Sequence, residues 1–188
     1  MNVFYLDKNP KLAAEFHCDK HVVKMLIEYA QLMSTAHRVM DGEEWCDRTA
    51  NNRRIKRWKH PDSEMDKILY LASHVNHPSG IWLRKSTKHY DWLYEMWLHL
   101  HDEFVSRYNK KHLSNTKLTE ILCKYPDNMP TLPWEDPPPA MPDHCKIHND
   151  SLASYRKYYI TEKVRFATWK TETPIWFKEK NADLCFQM

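Results

Sequence analysis

Only two glycines, Gly42 and Gly80, punctuate a chain of 188 residues. Glycine supplies the backbone conformations that phosphate-cradling loops and tight hairpin turns demand. With two such positions far apart, neither a GxxxxGK[ST] loop nor a GxGxxG turn can be written anywhere in the chain. A hairpin-rich all-β fold is disfavoured for the same reason. What remains is a chain that builds long uninterrupted elements and makes any site from side chains. Its apolar fraction of 42% and aromatic fraction of 13% suit a packed core rather than disorder. The length suits one compact domain, residues 1–188.

Hydrophobic spacing predicts an all-α fold built round a long central N-terminal helix. Between about Leu12 and Met40 there is no Gly or Pro, and Leu12, Phe16, Cys18, Val22, Val23, Met25, Leu26, Tyr29, Ala30, Leu32, Met33 and Ala36 fill one broad helical arc. The opposite arc carries His17, His21, Lys24, Glu28, Gln31, Thr35 and Arg38. Asp19 and His37 interrupt the apolar arc, so each needs a buried partner. Shorter helices are expected after Pro61-Asp62-Ser63 and from Ser114 to Cys123. A long one is expected from about Ser79 to Tyr108, with Trp82, Leu93, Trp97, Leu100 and Phe104 inward, and a last one from about Asp150 to Trp169. Seven of the eleven prolines fall within residues 126–142, which predicts an extended surface segment before the last helix. No segment is long and apolar enough to span a membrane, so no membrane partner is expected. Five scattered cysteines without a CxxC pair suit a reducing cytoplasm.

Two groups of residues carry chemistry. The first is the polar face of the long helix. His17 and His21 stand four apart, the spacing at which two imidazoles on one helix face grip a zinc or iron ion. Without a metal, Lys20 and Lys24 offer amines that neighbouring cations make nucleophilic. His17, His21, Asp19 and Glu28 are then the candidates for proton transfer. The second group is basic and aromatic. Arg48, Arg53, Arg54, Lys56, Arg57 and Lys59 are six positive charges in a twelve-residue stretch with no acid. Such a run is self-repulsive unless it meets an anion, and it is expected to form a basic loop over 48–60. His77, Trp82, Arg84, Lys88 and Tyr90 extend the pattern, cations for phosphates and rings for stacked bases. DNA is therefore the expected partner.

The stretches His17-Cys18-Asp19-Lys20-His21-Val22-Val23-Lys24, Asn76-His77-Pro78 with Trp82 and Arg84, and Tyr155-Arg156-Lys157-Tyr158-Tyr159 resemble a family of small proteins from tailed-phage genomes. The layout is also similar, more distantly, to the phage-type pyrimidine-dimer DNA glycosylases. Shared features are the Leu-Ala-rich entry into the first helix, the His-Pro break and a helix ending Glu103-x-x-x-Arg107-Tyr108. An aromatic-basic C-terminal stretch, Thr173-Pro174-Ile175-Trp176-Phe177, completes the likeness. That resemblance implies a small all-α enzyme that extrudes a base and cuts its glycosidic bond, without a cofactor. In that family the α-amine of residue 2 attacks the sugar after removal of the first Met, whereas the bulk of Asn2 here favours retention of Met1. The family's first-helix glutamate falls near His21 and its arginine near Lys24, so the resemblance passes the nucleophile's role to Lys20, Lys24 or an activated water. Three readings follow: a DNA-repair-type glycosylase/lyase, a metal-dependent enzyme on the His17/His21 face, and a non-catalytic module that binds nucleic acid or a host protein.

Overall fold

A computed structural model describes residues 1–179. Most of the chain is helical: α1 (Pro10–Glu15), α2 (Asp19–Asp41), α3 (Ser63–Ile68), α4 (Pro78–Arg84), α5 (Thr87–Tyr108), α6 (Leu113–Leu122) and α7 (Ser151–Tyr158). A π-helical turn, Tyr159–Lys163, extends α7. Between α2 and α3 lies an antiparallel hairpin of β1 (Glu43–Arg48) and β2 (Arg54–Lys59). The all-α expectation is therefore corrected to a mostly helical fold carrying one two-stranded sheet.

The hairpin occupies the stretch expected to be a basic loop, and its register shows why. β1 contributes acids that lie outside the basic run, and pairing sets them against it. Lys56 reaches Glu44 at 2.8 Å and Arg57 reaches Asp47 at 3.6 Å. The self-repulsion of the run is thus relieved within the hairpin. The turn also needs no glycine: Asn52 adopts φ 61°, a left-handed conformation that asparagine tolerates better than most residues. Gly42 has a different task at the hairpin's root. A Cβ there would meet the carbonyl oxygens of Arg38 and Lys59 at 2.3 and 2.8 Å, so glycine alone lets the end of α2 abut the end of β2.

The two long helices expected from spacing are each divided. α1 and α2 are separated by Phe16-His17-Cys18, and α4 and α5 by Lys85-Ser86, where Ser86 caps α5 by accepting from Lys88 N–H. Asn9 caps α1 in the same way, with Pro10 in the first turn. α2 and α5 pack directly on one another, α1 lies on α5, and α4 and α6 lie on α2. Trp97 fills the α2–α5 contact, fully buried, and its indole N–H donates to Leu26 O at 2.9 Å.

Two arginines bind the pieces together. Arg107 on α5 is fully buried. It donates to the carbonyls of Glu15 and His17 at the α1–α2 junction and to the carboxylates of Glu103 and Asp19. Arg38 near the end of α2 donates to the carbonyls of Trp58, Asp66, Leu69 and Tyr70 and to the Asp66 carboxylate. It thereby clamps the hairpin and α3 to α2. The proline-rich stretch has no regular structure from residue 126 to 142. Its seven prolines offer no amide donors, and several of its carbonyls are held by side chains: Ser86 Oγ to Leu132 O, Trp82 Nε1 to Glu135 O and Tyr155 OH to Pro138 O. No helix among the described residues is long and apolar enough to cross a membrane. Cys18, Cys46, Cys123 and Cys145 are free thiols, and Cys185 lies outside the described residues.

Candidate functional site

The break before α2 changes the geometry of the histidine pair. His17 precedes the helix and His21 lies in its first turn, so the two do not share one helix face. Both are buried rather than solvated. His17 Nδ1 donates to Ala13 O at 2.7 Å, which leaves Nε2 to accept from the Tyr29 hydroxyl at 2.8 Å. That hydroxyl in turn accepts the amide of Phe4. Both nitrogens of His17 are thereby committed, and the expected His17/His21 metal grip is not formed. His21 Nδ1 bonds the Tyr159 hydroxyl at 2.5 Å, and its ring stacks on Phe4 at 4.3 Å. Burial lowers the His17 pKa to about 4, with Arg107 adding to the shift and the Ala13 bond opposing it. Burial, then the nearby His17, Lys163 and Lys24, lower that of His21 to about 3. At neutral pH both rings are neutral members of an aromatic core.

Asp19 finds its partner in Arg107 at 3.2 Å and also accepts Lys170 N–H at 3.1 Å and the Thr168 hydroxyl at 3.3 Å. Its role is to hold α2, α5 and the chain beyond the π-turn together. Lys20 is exposed, with its ammonium 5.0 Å from the centre of the Phe166 ring.

Lys24 and Glu28, one turn apart on α2, meet at 3.2 Å. A third group joins them from the beginning of the chain. Val3, Phe4, Tyr5 and Leu6 are all buried, so the first residues run through the core instead of trailing in solvent. This threading brings the α-ammonium of Met1 to 3.8 Å from Glu28 Oε2. His77, the N-cap of α4, accepts Ser79 N–H through Nδ1. Its pKa is lowered by burial, then by the Met1 ammonium and His74, against the opposing pull of Glu28. Two amines, a carboxylate and an imidazole thus converge where α2 meets the start of α4. Lys24 and Glu28 are the two expected reactive residues brought together. The Met1 amine is a member that spacing does not reveal; the apolar run from Val3 to Leu6 is the signal that the start of the chain is anchored.

The expected nucleic-acid residues divide between surface and core. On the hairpin, Arg48, Arg53, Arg54, Lys56 and Lys59 are exposed and Arg57 is half-buried. Arg48 and Arg54 are cross-strand partners beside the turn, and neither pairs with an acid. Like charges directly opposite one another on a ribbon repel, which favours an anion between them. Lys88 is exposed. Arg84 turns inward instead: Nη2 donates to Val75 O at 2.7 Å, and Nη1 is buried without a partner. Trp82 and Tyr90 are core residues. The Trp82 ring stacks on His89 at 4.6 Å, and the Tyr90 hydroxyl sits between His37 and Leu122 O. Their burial leaves no open face for a base, which corrects their expected stacking role.

Comparison with protein-family models, with curated proteins and with solved structures finds no match for this chain. Its function is therefore argued from its own residues.

Proposed function

We propose that this protein binds DNA in the cytoplasm and acts as a glycosylase/lyase on an extruded base, through an amine held beside Glu28. The observation that carries this reading is the convergence of the Lys24 and Met1 amines on one carboxylate, at 3.2 and 3.8 Å. An amine attacks only once deprotonated; Glu28 holds both amines at one place and is the carboxylate available to take a proton from the reacting sugar. The free amine then attacks C1′ of the deoxyribose and displaces the base. The base leaves with the bonding pair and takes a proton. The C1′–O4′ bond then opens, the ring oxygen taking a proton, to leave a Schiff base that acidifies C2′. Loss of the C2′ proton expels the 3′-phosphate and cuts the strand. His77, its pKa lowered by burial, lies close enough to feel the charges of both Met1 and Glu28. The hairpin supplies the phosphate contacts through Arg48, Arg53 and Arg54, and a two-stranded ribbon has dimensions that fit a DNA groove. The resemblance to phage-type pyrimidine-dimer glycosylases and the free thiols of a reducing compartment agree with this reading.

Borohydride trapping on duplex DNA carrying an abasic site tests it. The expected result is a covalent adduct that maps by peptide sequencing to Met1 or Lys24 and disappears in Glu28→Gln. Neither an adduct nor strand cleavage would sink the catalytic reading. In that case salt-dependent DNA affinity that survives Glu28→Gln would leave a binding module, the second reading, which rests on the unpaired arginines of the hairpin. An adduct mapping to Lys20 would move the site to the Phe166 side of α2.

A further inference from the structure

At the far end of α2 a second group of side chains stands apart from Glu28. His37 and Asp41 lie one turn apart on α2, and His60 follows directly after β2. One donor atom from each falls within 4.8 Å of the other two. They line a cavity of about 220 Å³ that also meets Met65, Ile121 and Tyr125. Glu28 is nine residues earlier on the same helix, about 14 Å away along the axis.

Three features give this cluster the character of a cation site. First, His60 is 95% buried, being 5% exposed, and its Nε2 has no hydrogen-bond partner, a costly condition for a ring nitrogen facing a cavity. Second, the orientation of His37 is fixed from behind. Its Nε2 contacts Lys124 O at 3.1 Å and the Tyr90 hydroxyl at 3.0 Å. Since Lys124 O only accepts and the Tyr90 hydroxyl donates to Leu122 O, Nε2 carries the hydrogen and Nδ1 the lone pair. A carbonyl behind an imidazole is the arrangement that holds a histidine ligand in place. Third, the Asp41 carboxylate is itself oriented by the amides of Asp127 and Asn128 and by the Asn128 side chain. It also stands at the carbonyl end of α2, where the helix dipole favours positive charge.

We propose that His37, Asp41 and His60 bind a divalent transition-metal ion of the zinc type. Two imidazoles and a carboxylate form a donor set zinc accepts, and tetrahedral geometry requires donors about 3.4 Å apart, so the side chains close modestly on the ion. Binding through His60 Nε2 moves that ring's hydrogen to Nδ1 and releases its 3.2 Å contact with Asp62 N–H. Lys124 and Asp127 are the other charged groups lining the cavity. The ion ties the root of the hairpin to the end of α2 and to the 124–128 segment, so its role is to fix the ribbon rather than to act at Glu28.

Titration of the full chain, freed of metal by a chelator, with Zn²⁺ alone tests this, and Co²⁺ reports the donor set by its visible spectrum. Expected are one equivalent bound, a higher thermal midpoint with zinc, and at least about a tenfold loss of affinity in His60→Asn and in Asp41→Asn. The group of exposed His144, buried Cys145 and half-buried Glu162 serves as a control, and His144→Ala leaves binding unchanged. Circular dichroism establishes that the variants fold; if His60→Asn does not, Asp41→Asn decides alone. Substoichiometric binding, binding indifferent to the variant that folds, or loss of binding in His144→Ala would overturn the proposal.

Discussion

Acid should destabilise this protein well above the range in which its carboxylates titrate. His17 and His37 have pKa values lowered to about 4 and His21 to about 3, in each case chiefly by burial. In the unfolded chain each returns to about 6.5. Between those limits the unfolded state binds more protons than the folded one, so stability falls as pH drops from 6.5 towards 4 and levels off below the folded values. From pH 7 to pH 5 the loss is about 2 kcal/mol for each histidine and about 6 kcal/mol for the three together. That is comparable to the entire stability of a small domain, about 5–15 kcal/mol. His89, His101 and His112 shift in the same direction and add to it. Urea unfolding at half-unit pH steps, in the presence of a chelator so that metal binding does not contribute, measures the effect. The His21→Asn variant assigns it, because its stability should fall about 2 kcal/mol less over the same interval. A stability that changes by less than about 1 kcal/mol between pH 7 and 5 would refute the claim that these rings are neutral and buried.

Other outcomes follow from single side chains. Arg107→Met leaves Asp19 and Glu103 without their cation and should cost about 3–5 kcal/mol in denaturant unfolding, whereas an exposed change such as Lys88→Met should cost under about 0.5 kcal/mol. Trp97→Ala opens a cavity between α2 and α5 and removes the bond to Leu26 O, for about 3–5 kcal/mol by the same measurement. Gly42→Ala, which sets a methyl group against two carbonyl oxygens, should lower the thermal midpoint although alanine is the better helix former. Arg48→Gln with Arg54→Gln should weaken DNA binding across all sequences and flatten its dependence on salt by about two units of slope, as seen by fluorescence anisotropy at several salt concentrations.

The core was written plainly in the sequence. Of the apolar arc, Cys18, Val22, Met25, Leu26, Tyr29, Ala30, Leu32, Met33 and Ala36 are buried, as are Trp82, Leu93, Trp97, Leu100 and Phe104, whereas Leu12 and Val23 at its edges are exposed. Helical periodicity reports which side faces inward, and it does so without regard to tertiary partners. The division between α1 and α2 escaped it because Phe16-His17-Cys18 contains neither glycine nor proline, and the break is held from outside by Arg107 and Thr168. The hairpin escaped it because both its faces are largely wet, so neither strand alternates apolar and polar residues. Its stabilising charge pairs become visible only once the register is known. Polarity misleads at His17 and His21, which look like a solvated stripe and are core residues made acceptable by hydroxyl and carbonyl partners. Of the expected reactive residues, Lys24 and Glu28 were legible as a one-turn pair. The approach of the Met1 amine and His77 depends on tertiary packing that no local pattern encodes.

The clamp at Arg38 also sets a mechanical tolerance. β1 and β2 project as a cantilever about 20 Å long, judged from six residues of extended strand. An angular play of ten degrees at its root would swing the Arg48–Arg54 end through about 3.5 Å, which is the rise of one nucleotide along a DNA strand. Under the proposed DNA binding, a loosely hinged ribbon could not tell one phosphate from the next. Arg38 holds Trp58 O on β2 and the Asp66 carboxylate on α3 with one guanidinium, and Asp66 accepts the His60 amide just past β2, so the root is held at two points. The position of the tip is thus decided at the opposite end of the hairpin.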